Sequence, residues 1–425
     1  MDTEALRIRR DQLFGAGSPL FYDDPLEIVR GEGVWLYDSN GRQYLDMYNN
    51  VPCVGHANPY VVAAMQKQAG ELNIHSRYLH PAILDFAEKL TELHAEPLTS
   101  VVFSCTGTEA NEIAIMIARA VTEGRGIICS DSAYHGNSAE VGKLTHTRAR
   151  QGEPEGHVRG FPFPQKYRPI EAGLDDADLR DRYLAKVQSQ IDAFERNGVP
   201  FAGLIVCSLF ANEGLPDVPL DFFPKVTQLV HEAGGLVIAD EVQAGYARSG
   251  RWWGYEKMGF VPDIVTTGKP MGNGLPLAAT VASADHVSTF RRQTRYFNTF
   301  ASSPLQAAVG SAVLDVIEGE DLRTRVTDVG DYMKRELLEI QKDCEQMGDV
   351  RGHGTFIGID WVTDRESREA DPQGARQIAN VLKEKGFLTN NAGALGNVIK
   401  LRPPLVFERK HADLFLSAFR EVLNA

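Results

Sequence analysis

Residues 201–243, FAGLIVCSLFANEGLPDVPLDFFPKVTQLVHEAGGLVIADEVQ, decide the fold. The runs Gly203 to Cys207 and Leu236 to Ala239 are short and wholly apolar, as strands of a parallel sheet buried on both faces must be. Between them Phe222, Val226, Leu229, Val230 and Ala233 recur at helical spacing, and Gly234-Gly235 ends that pattern with residues that tolerate positive φ. Strand, helix and strand together make a βαβ unit, which predicts an α/β domain with helices on both sheet faces.

Working outward, the same short apolar strands appear at Val101-Val102-Phe103, Ile127-Ile128-Cys129 and Ile264-Val265, alternating with helical stretches from about residue 60 to 310. Residues 34–48, VWLYDSNGRQYLDMY, alternate around Asn40-Gly41 and predict a hairpin. After about 315 a helix and strands near 356–362 and 398–401 follow. Three segments are therefore expected: 1–59 and 315–425 as the two halves of a smaller α+β domain, and 60–314 as the large domain. The stretch 150–182, rich in Gly, Pro and charge, is expected as a surface excursion.

A chain of 425 residues is long enough for two domains. Its 43% hydrophobic and 24% charged residues are ordinary globular usage. A net charge of −13 argues against nucleic acid and anionic membrane as partners, and no apolar run is long enough for a span. Five scattered cysteines without a CxxC pair argue against a disulfide framework and against a metal site, and fit a cytoplasmic protein.

Ligands of such sheets lie beyond the carboxyl ends of the strands. After Phe103 comes Ser104-Cys105-Thr106-Gly107-Thr108-Glu109, with capping-box spacing between Thr106 and Glu109 and a glycine that lets a phosphate approach the helix start. The next strand leads to Tyr134-His135. Leu236 to Ala239 ends in Asp240-Glu241-Val242-Gln243, and an acidic residue closing an apolar strand asks for a cation or a protonated ring nitrogen. Gly268-Lys269-Pro270 follows Thr267 in a Gly-rich loop. It is not a P-loop, because Asp263 and Pro270 stand where that motif needs Gly and Ser/Thr. Taken singly, each feature has a plainer explanation: a capped helix, a surface loop, a salt bridge, a solvated lysine. In this order they supply a phosphate cradle, a stacking ring, an acidic partner and an amine that can form an imine.

The chain resembles the class III, fold-type I pyridoxal-phosphate aminotransferases over nearly its whole length. The resemblance is nearest to the branch of alanine–glyoxylate aminotransferase 2-like proteins, ethanolamine-phosphate phospholyases and omega-transaminases. It is carried by IVRGEGVWLYDSNGRQYLD (28–46), TGTEANEIA (106–114), VIADEVQAGYARSG (237–250), PDIVTTGKPMGNGLPLAA (262–279) and YFNTFASSPLQAAVG (296–310). It implies a mostly parallel seven-stranded sheet in a large cofactor-binding domain, pyridoxal 5′-phosphate as cofactor, and a homodimer with shared active sites. It further implies that Lys269 forms the internal aldimine and shuttles the proton, and that Asp240 pairs with the pyridine nitrogen. Gly107 and Thr108 would bind the phosphate, Tyr134 would stack on the ring with His135 in support, Val242 would cover the other face and Gln243 would reach the ring oxygen. Thr299 would serve the phosphate site of the neighbouring subunit.

Two positions depart from the pattern. Members that act on amino acids place a Glu where Cys207 stands and a mobile Arg where Lys400 stands. Losing both partners together is coherent, since either charge left alone in the interior is costly. The expected reaction is thus transfer of an amino group from a primary amine without an α-carboxylate to a 2-oxo acid such as pyruvate, by ping-pong aldimine/ketimine chemistry. A phospholyase acting on a phosphorylated amino alcohol is the alternative, and a racemase a more distant one. Strand alternation puts Lys400 and Arg402 on one face, where either can meet the acceptor carboxylate. Tyr22 and Phe210, with Phe21, Trp252 and Trp253, are candidates to line the amine pocket, although core packing explains many of these aromatics equally well.

Overall fold

The computed structural model describes residues 3–145 and 156–424. Its centre is a seven-stranded sheet in the order Ser100–Ser104, Ala278–Ala282, Ile264–Thr267, Leu236–Asp240, Phe201–Val206, Gly126–Ser130, Val158–Phe161. Only Ala278–Ala282 runs against its neighbours; the pairs formed by the next five strands are parallel. The mostly parallel sheet expected from the apolar runs is therefore present. The helix Phe222–Glu232 buries Phe222, Phe223, Val226 and Val230. Gly234 at φ +76° then turns the chain, and the Gly235 N–H donates to Val230 O at 2.9 Å.

Two strands of this sheet went unforeseen. Ala278–Ala282 is mostly alanine, without a run of large apolar residues to mark it, and Val158–Phe161 carries Arg159 and Gly160 inside the expected 150–182 excursion. Of that excursion, residues 150–155 lie outside the described residues. From Asp176 to Arg196 the chain is a 21-residue helix.

Both chain ends meet in one four-stranded sheet, and the C-terminal segment forms a second. Trp35–Asp38 and Gln43–Asp46 form the hairpin, with Gly41 at φ +81° and the Asp38 carboxylate accepting the Asn40 and Arg42 N–H groups at 2.9 Å. Phe387–Leu388 adds to it in parallel, which ties residue 45 to residue 387. Met347–His353, Phe356–Trp361, Val398–Leu401 and Asn390–Ala392 make the other sheet. A separate apolar cluster, including Leu45, Met333, Ile359, Ile399 and Phe415, fills the space beneath. The helix Pro304–Gly319 runs straight through position 315 and packs on the large sheet's helices. No helix among the described residues is long and apolar enough to cross a membrane.

Candidate active site

Five strand ends converge on one cleft. The helix Gly107–Thr122 begins with the full capping box: Thr106 Oγ1 accepts the Glu109 N–H at 3.1 Å, and Glu109 Oε2 accepts the Thr106 N–H at 3.1 Å and the Cys105 N–H at 2.7 Å. Gly107 and Thr108 are the first residues of that helix, where amides have no intrahelical acceptor and the dipole favours an anion. A Cβ at residue 107 would stand 2.9 Å from a Val242 methyl, so the glycine is what lets the helix start and Val242 share the cleft.

Asp240 closes the strand Leu236–Asp240 and is nearly fully buried. Its Oδ2 lies 2.7 Å from His135 Nδ1 and accepts the Asn111 side-chain N–H at 3.0 Å, while Oδ1 accepts the Val242 N–H at 3.0 Å. Asn111 is fixed in turn by Thr266, whose hydroxyl donates to it at 2.6 Å. A carboxylate held by three donors in the interior keeps its orientation and its charge-accepting geometry. The buried Nε2 of His135 has no partner. Tyr134 is half-exposed over the same cleft, its hydroxyl donating to Asn137 at 2.9 Å.

Lys269 follows the strand Ile264–Thr267 and opens into the cleft opposite Asp240. Its side chain touches the cleft's solvent yet is ringed by protein. That desolvation lowers its pKa below the ordinary lysine value, and Arg402 adds to the effect while Asp240 works against it. A lysine so placed is more readily the free amine that attacks a carbonyl.

The far wall joins residues from both halves of the chain. Cys207 follows Phe201–Val206 and lines the cleft, its thiol pushed up by burial. Lys400, on the strand Val398–Leu401, is buried at 2% exposure and donates to Ala211 O at 2.5 Å. Burial lowers its pKa to about 7, with Arg402 pushing the same way. Arg402 donates to Tyr48 O and to Gln243 Oε1, each at 2.5 Å. Gln243 also donates to Asn212 at 3.1 Å, and Asn212 donates to Tyr134 O at 3.1 Å, so a chain of side chains spans the cleft.

The family model for Aminotransferase class-III matches residues 22–423. The chain belongs to the class III aminotransferases. It is similar to an alanine–glyoxylate aminotransferase 2-like protein of Drosophila melanogaster, at 37% identity over all of this chain and 87% of that protein. Among solved structures it is similar to a phospholyase from Arthrobacter in complex with phosphoethanolamine, with 39% identity, a TM-score of 0.95 and 99% of each chain covered. An omega-transaminase from Pseudomonas jessenii in complex with PMP superposes with a TM-score of 0.86 at 25% identity, over 94% of this chain and 92% of that one. Class III aminotransferases use pyridoxal 5′-phosphate, and the family, the fold type and the cofactor expected from the sequence motifs all hold.

The class III cofactor fits the residues present. The cleft offers a glycine at the phosphate end, a buried carboxylate where a ring nitrogen's proton needs one, and an amine of lowered pKa. Of the thirteen residues expected at the site, Gly107, Thr108, Tyr134, His135, Asp240, Val242, Gln243 and Lys269 line this one cavity. Lys400 and Arg402 do not line it: Arg402 reaches it only through the lining Gln243, and Lys400 is buried behind it on Ala211 O. Tyr22 lies apart in a neighbouring apolar hollow with Phe21 and Tyr48, its hydroxyl donating to Thr389 O at 2.9 Å. Thr299 is exposed and away from its own chain's cavity. Phe210 differs from the expectation: at φ +47° its side chain turns into the core against Phe223, with ring centroids 5.5 Å apart. Trp253 is likewise core, stacked on His94. Sequence reasoning missed Asn111 and Asn212 and set Glu213 aside because it sits six residues beyond Cys207; of the two missed, only Asn111 carried a signal, as the polar residue on an otherwise apolar helix face.

Proposed function

We propose that this class III enzyme is a transaminase that takes the amino group of a primary amine lacking an α-carboxylate and passes it to a 2-oxo acid such as pyruvate. The reading rests on one observation. At the end of the strand Phe201–Val206 the cleft presents the uncharged Cys207 thiol, and the buried amine facing it is Lys400, held by a single carbonyl instead of a carboxylate. A pocket without a fixed ion pair accepts an apolar amine without stranding a charge.

In this reading Lys269 carries the cofactor and moves the proton at the substrate carbon, and Asp240 holds the proton on the ring nitrogen with His135 and Asn111 fixing its oxygens. Gly107 and Thr108 take the phosphate, Tyr134 covers one ring face, Val242 the other, and Gln243 reaches the ring oxygen. When bound, the cofactor supplies an electron sink for the carbanion formed beside the nitrogen. The enzyme acts as a homodimer with Thr299 of one subunit serving the other's phosphate site. The exposed apolar side chains Tyr78, Leu79 and Phe300, the latter two at 97% and 77% exposure, support a covered face there. Cytoplasmic residence rests alone on the five scattered cysteines without a CxxC pair.

The test is to add amines one at a time to the holoenzyme without acceptor. The absorbance of the lysine-held cofactor disappears with a primary amine and returns with pyruvate. If it persists with every amine and with alanine, the transaminase reading is wrong. A second reading, a phospholyase for a phosphorylated amino alcohol, is favoured by the two buried cations Lys400 and Arg402 and by the similarity to the Arthrobacter phospholyase. Release of phosphate and ammonia from phosphoethanolamine without any keto acid would establish it.

A further inference from the structure

We propose that Glu213 and Lys400 share one proton, and that moving it between carboxyl and amine lets the same pocket take an uncharged amine and an anionic acceptor in turn. The proposal rests on the transaminase reading for its purpose, though not for its measurement.

Glu213 is 3% exposed. Its Oε1 accepts the Ser130 hydroxyl at 2.5 Å, and its buried Oε2 has no partner at all. Lys400 has three N–H donors and uses one, on the carbonyl of Ala211, two residues before Glu213 on the same turn. Its ammonium position lies 5.8 Å from the Phe356 ring. A half-satisfied carboxyl on the loop after Phe201–Val206 and a half-satisfied amine on the strand Val398–Leu401 thus meet at that loop behind the cleft, an arrangement no structural salt bridge would leave unclosed.

The other charges around the pair leave it to itself. Lys400 is faced by Arg402, Cys207, Glu213 and Lys269, and Glu213 by Lys400 and His135. Arg402 is held by Gln243 and Tyr48 O, His135 and Cys207 face Asp240, and the thiol stays protonated. On the flanking strands Arg351 and Asp360 pair with each other at 2.7 Å, and Arg351 also holds Gly214 O at 3.0 Å. Burial pushes the Glu213 carboxyl up and the Lys400 amine down to about 7, so near neutrality both disfavour charge when the pocket is apolar.

An arginine in place of Lys400 could only be countered by a partner, because it cannot lose its proton. A lysine can be discharged instead. With an amine in the pocket the proton sits on Glu213. When a carboxylate enters, the Glu213 O–H bond breaks and an N–H bond forms on Lys400, the proton passing through a water between the two groups, which are not in direct hydrogen-bond contact, with none drawn from bulk solvent. Charge appears only while an anion is there to meet it.

The experiment follows the affinity of propionate, an unreactive carboxylate, for the holoenzyme in its aminated form between pH 6 and 9. In the wild type the affinity changes little between pH 7 and 8, because the pair carries its own proton. In Glu213→Gln the proton must come from solvent, and the affinity falls about tenfold per pH unit above about 7. Lys400→Arg, a fixed charge, binds propionate without pH dependence but slows the amine half-reaction at least tenfold. Identical slopes in wild type and Glu213→Gln, or an unimpaired amine half-reaction in Lys400→Arg, would overturn the proposal. Because propionate binding needs no turnover, a failure of the transaminase reading leaves this result separately legible.

Discussion

The floor of the cleft and its far wall are built on different terms. On the floor, Asp240 has three donors, Asn111 is pinned by Thr266, and the start of the helix Gly107–Thr122 is doubly capped. On the wall, Lys400 has one carbonyl, Glu213 has one hydroxyl, and Arg402 bonds a glutamine and a main-chain oxygen. A rigid floor suits a ligand that stays, and an under-partnered wall suits ligands that alternate. Preorganised partners fix one charge pattern, whereas groups left half-satisfied can answer more than one.

That contrast is easiest to break at its strongest point. Lys269→Ala should remove turnover by roughly 10⁵-fold or more, since the other nearby amine, Lys400, is buried and bonded to the Ala211 carbonyl and does not line the cleft. Steady-state rates with an amine and pyruvate would read it, and residual activity within 100-fold of wild type would contradict the floor's role. Asp240→Asn should lower kcat by about 10²–10³-fold while leaving the fold intact, because the amide keeps the volume but not the charge. Circular dichroism alongside kcat separates the two.

Finer tests set floor against wall. Gly107→Ala brings a Cβ to 2.9 Å from a Val242 methyl and should weaken cofactor binding by about 20-fold, an overpacking effect of about 2 kcal/mol. Adding Val242→Ala should restore most of it, as measured by cofactor titration of the apoenzyme. Lys400→Met should raise the KM for pyruvate by about tenfold and leave the amine half-reaction within about threefold. An equal loss in both half-reactions would place Lys400 with the floor. The last effect is read per pH unit: Lys400, with its pKa lowered to about 7, holds its proton less firmly as pH rises through that value, so the Glu213→Gln enzyme should lose pyruvate affinity about tenfold per unit above pH 7, more steeply than wild type.

The floor was legible in the sequence for the same reason that it is rigid. Its legible parts are local: an apolar strand, then a polar residue at its end, as in Ala239-Asp240 or Thr267-Gly268-Lys269, or a capping pair three residues apart, as in Thr106 and Glu109; Asn111, which meets Asp240 across 129 residues and Thr266 across 155, was the part missed. The wall is not local. Ser130 and Glu213 are 83 residues apart, and Lys400 meets the Ala211 carbonyl across 189, with no periodicity linking either pair. Phe210 misled because an aromatic beside a strand end carries no mark of whether a positive φ will turn it inward. The same holds for Ala278–Ala282, whose strand conformation is imposed by Ser100–Ser104 and Ile264–Thr267 on its two sides.

Two lysines of lowered pKa stand by this cleft, Lys269 lining it and Lys400 behind it, and the account gives the cofactor to the first and the substrate to the second. Borohydride reduction of the holoenzyme, followed by peptide mapping by mass spectrometry, decides between them directly. The account predicts a single pyridoxyl adduct, on the peptide containing Lys269, with Lys400 unmodified. An adduct on Lys400, or a holoenzyme that binds the cofactor without any reducible lysine link, would contradict it.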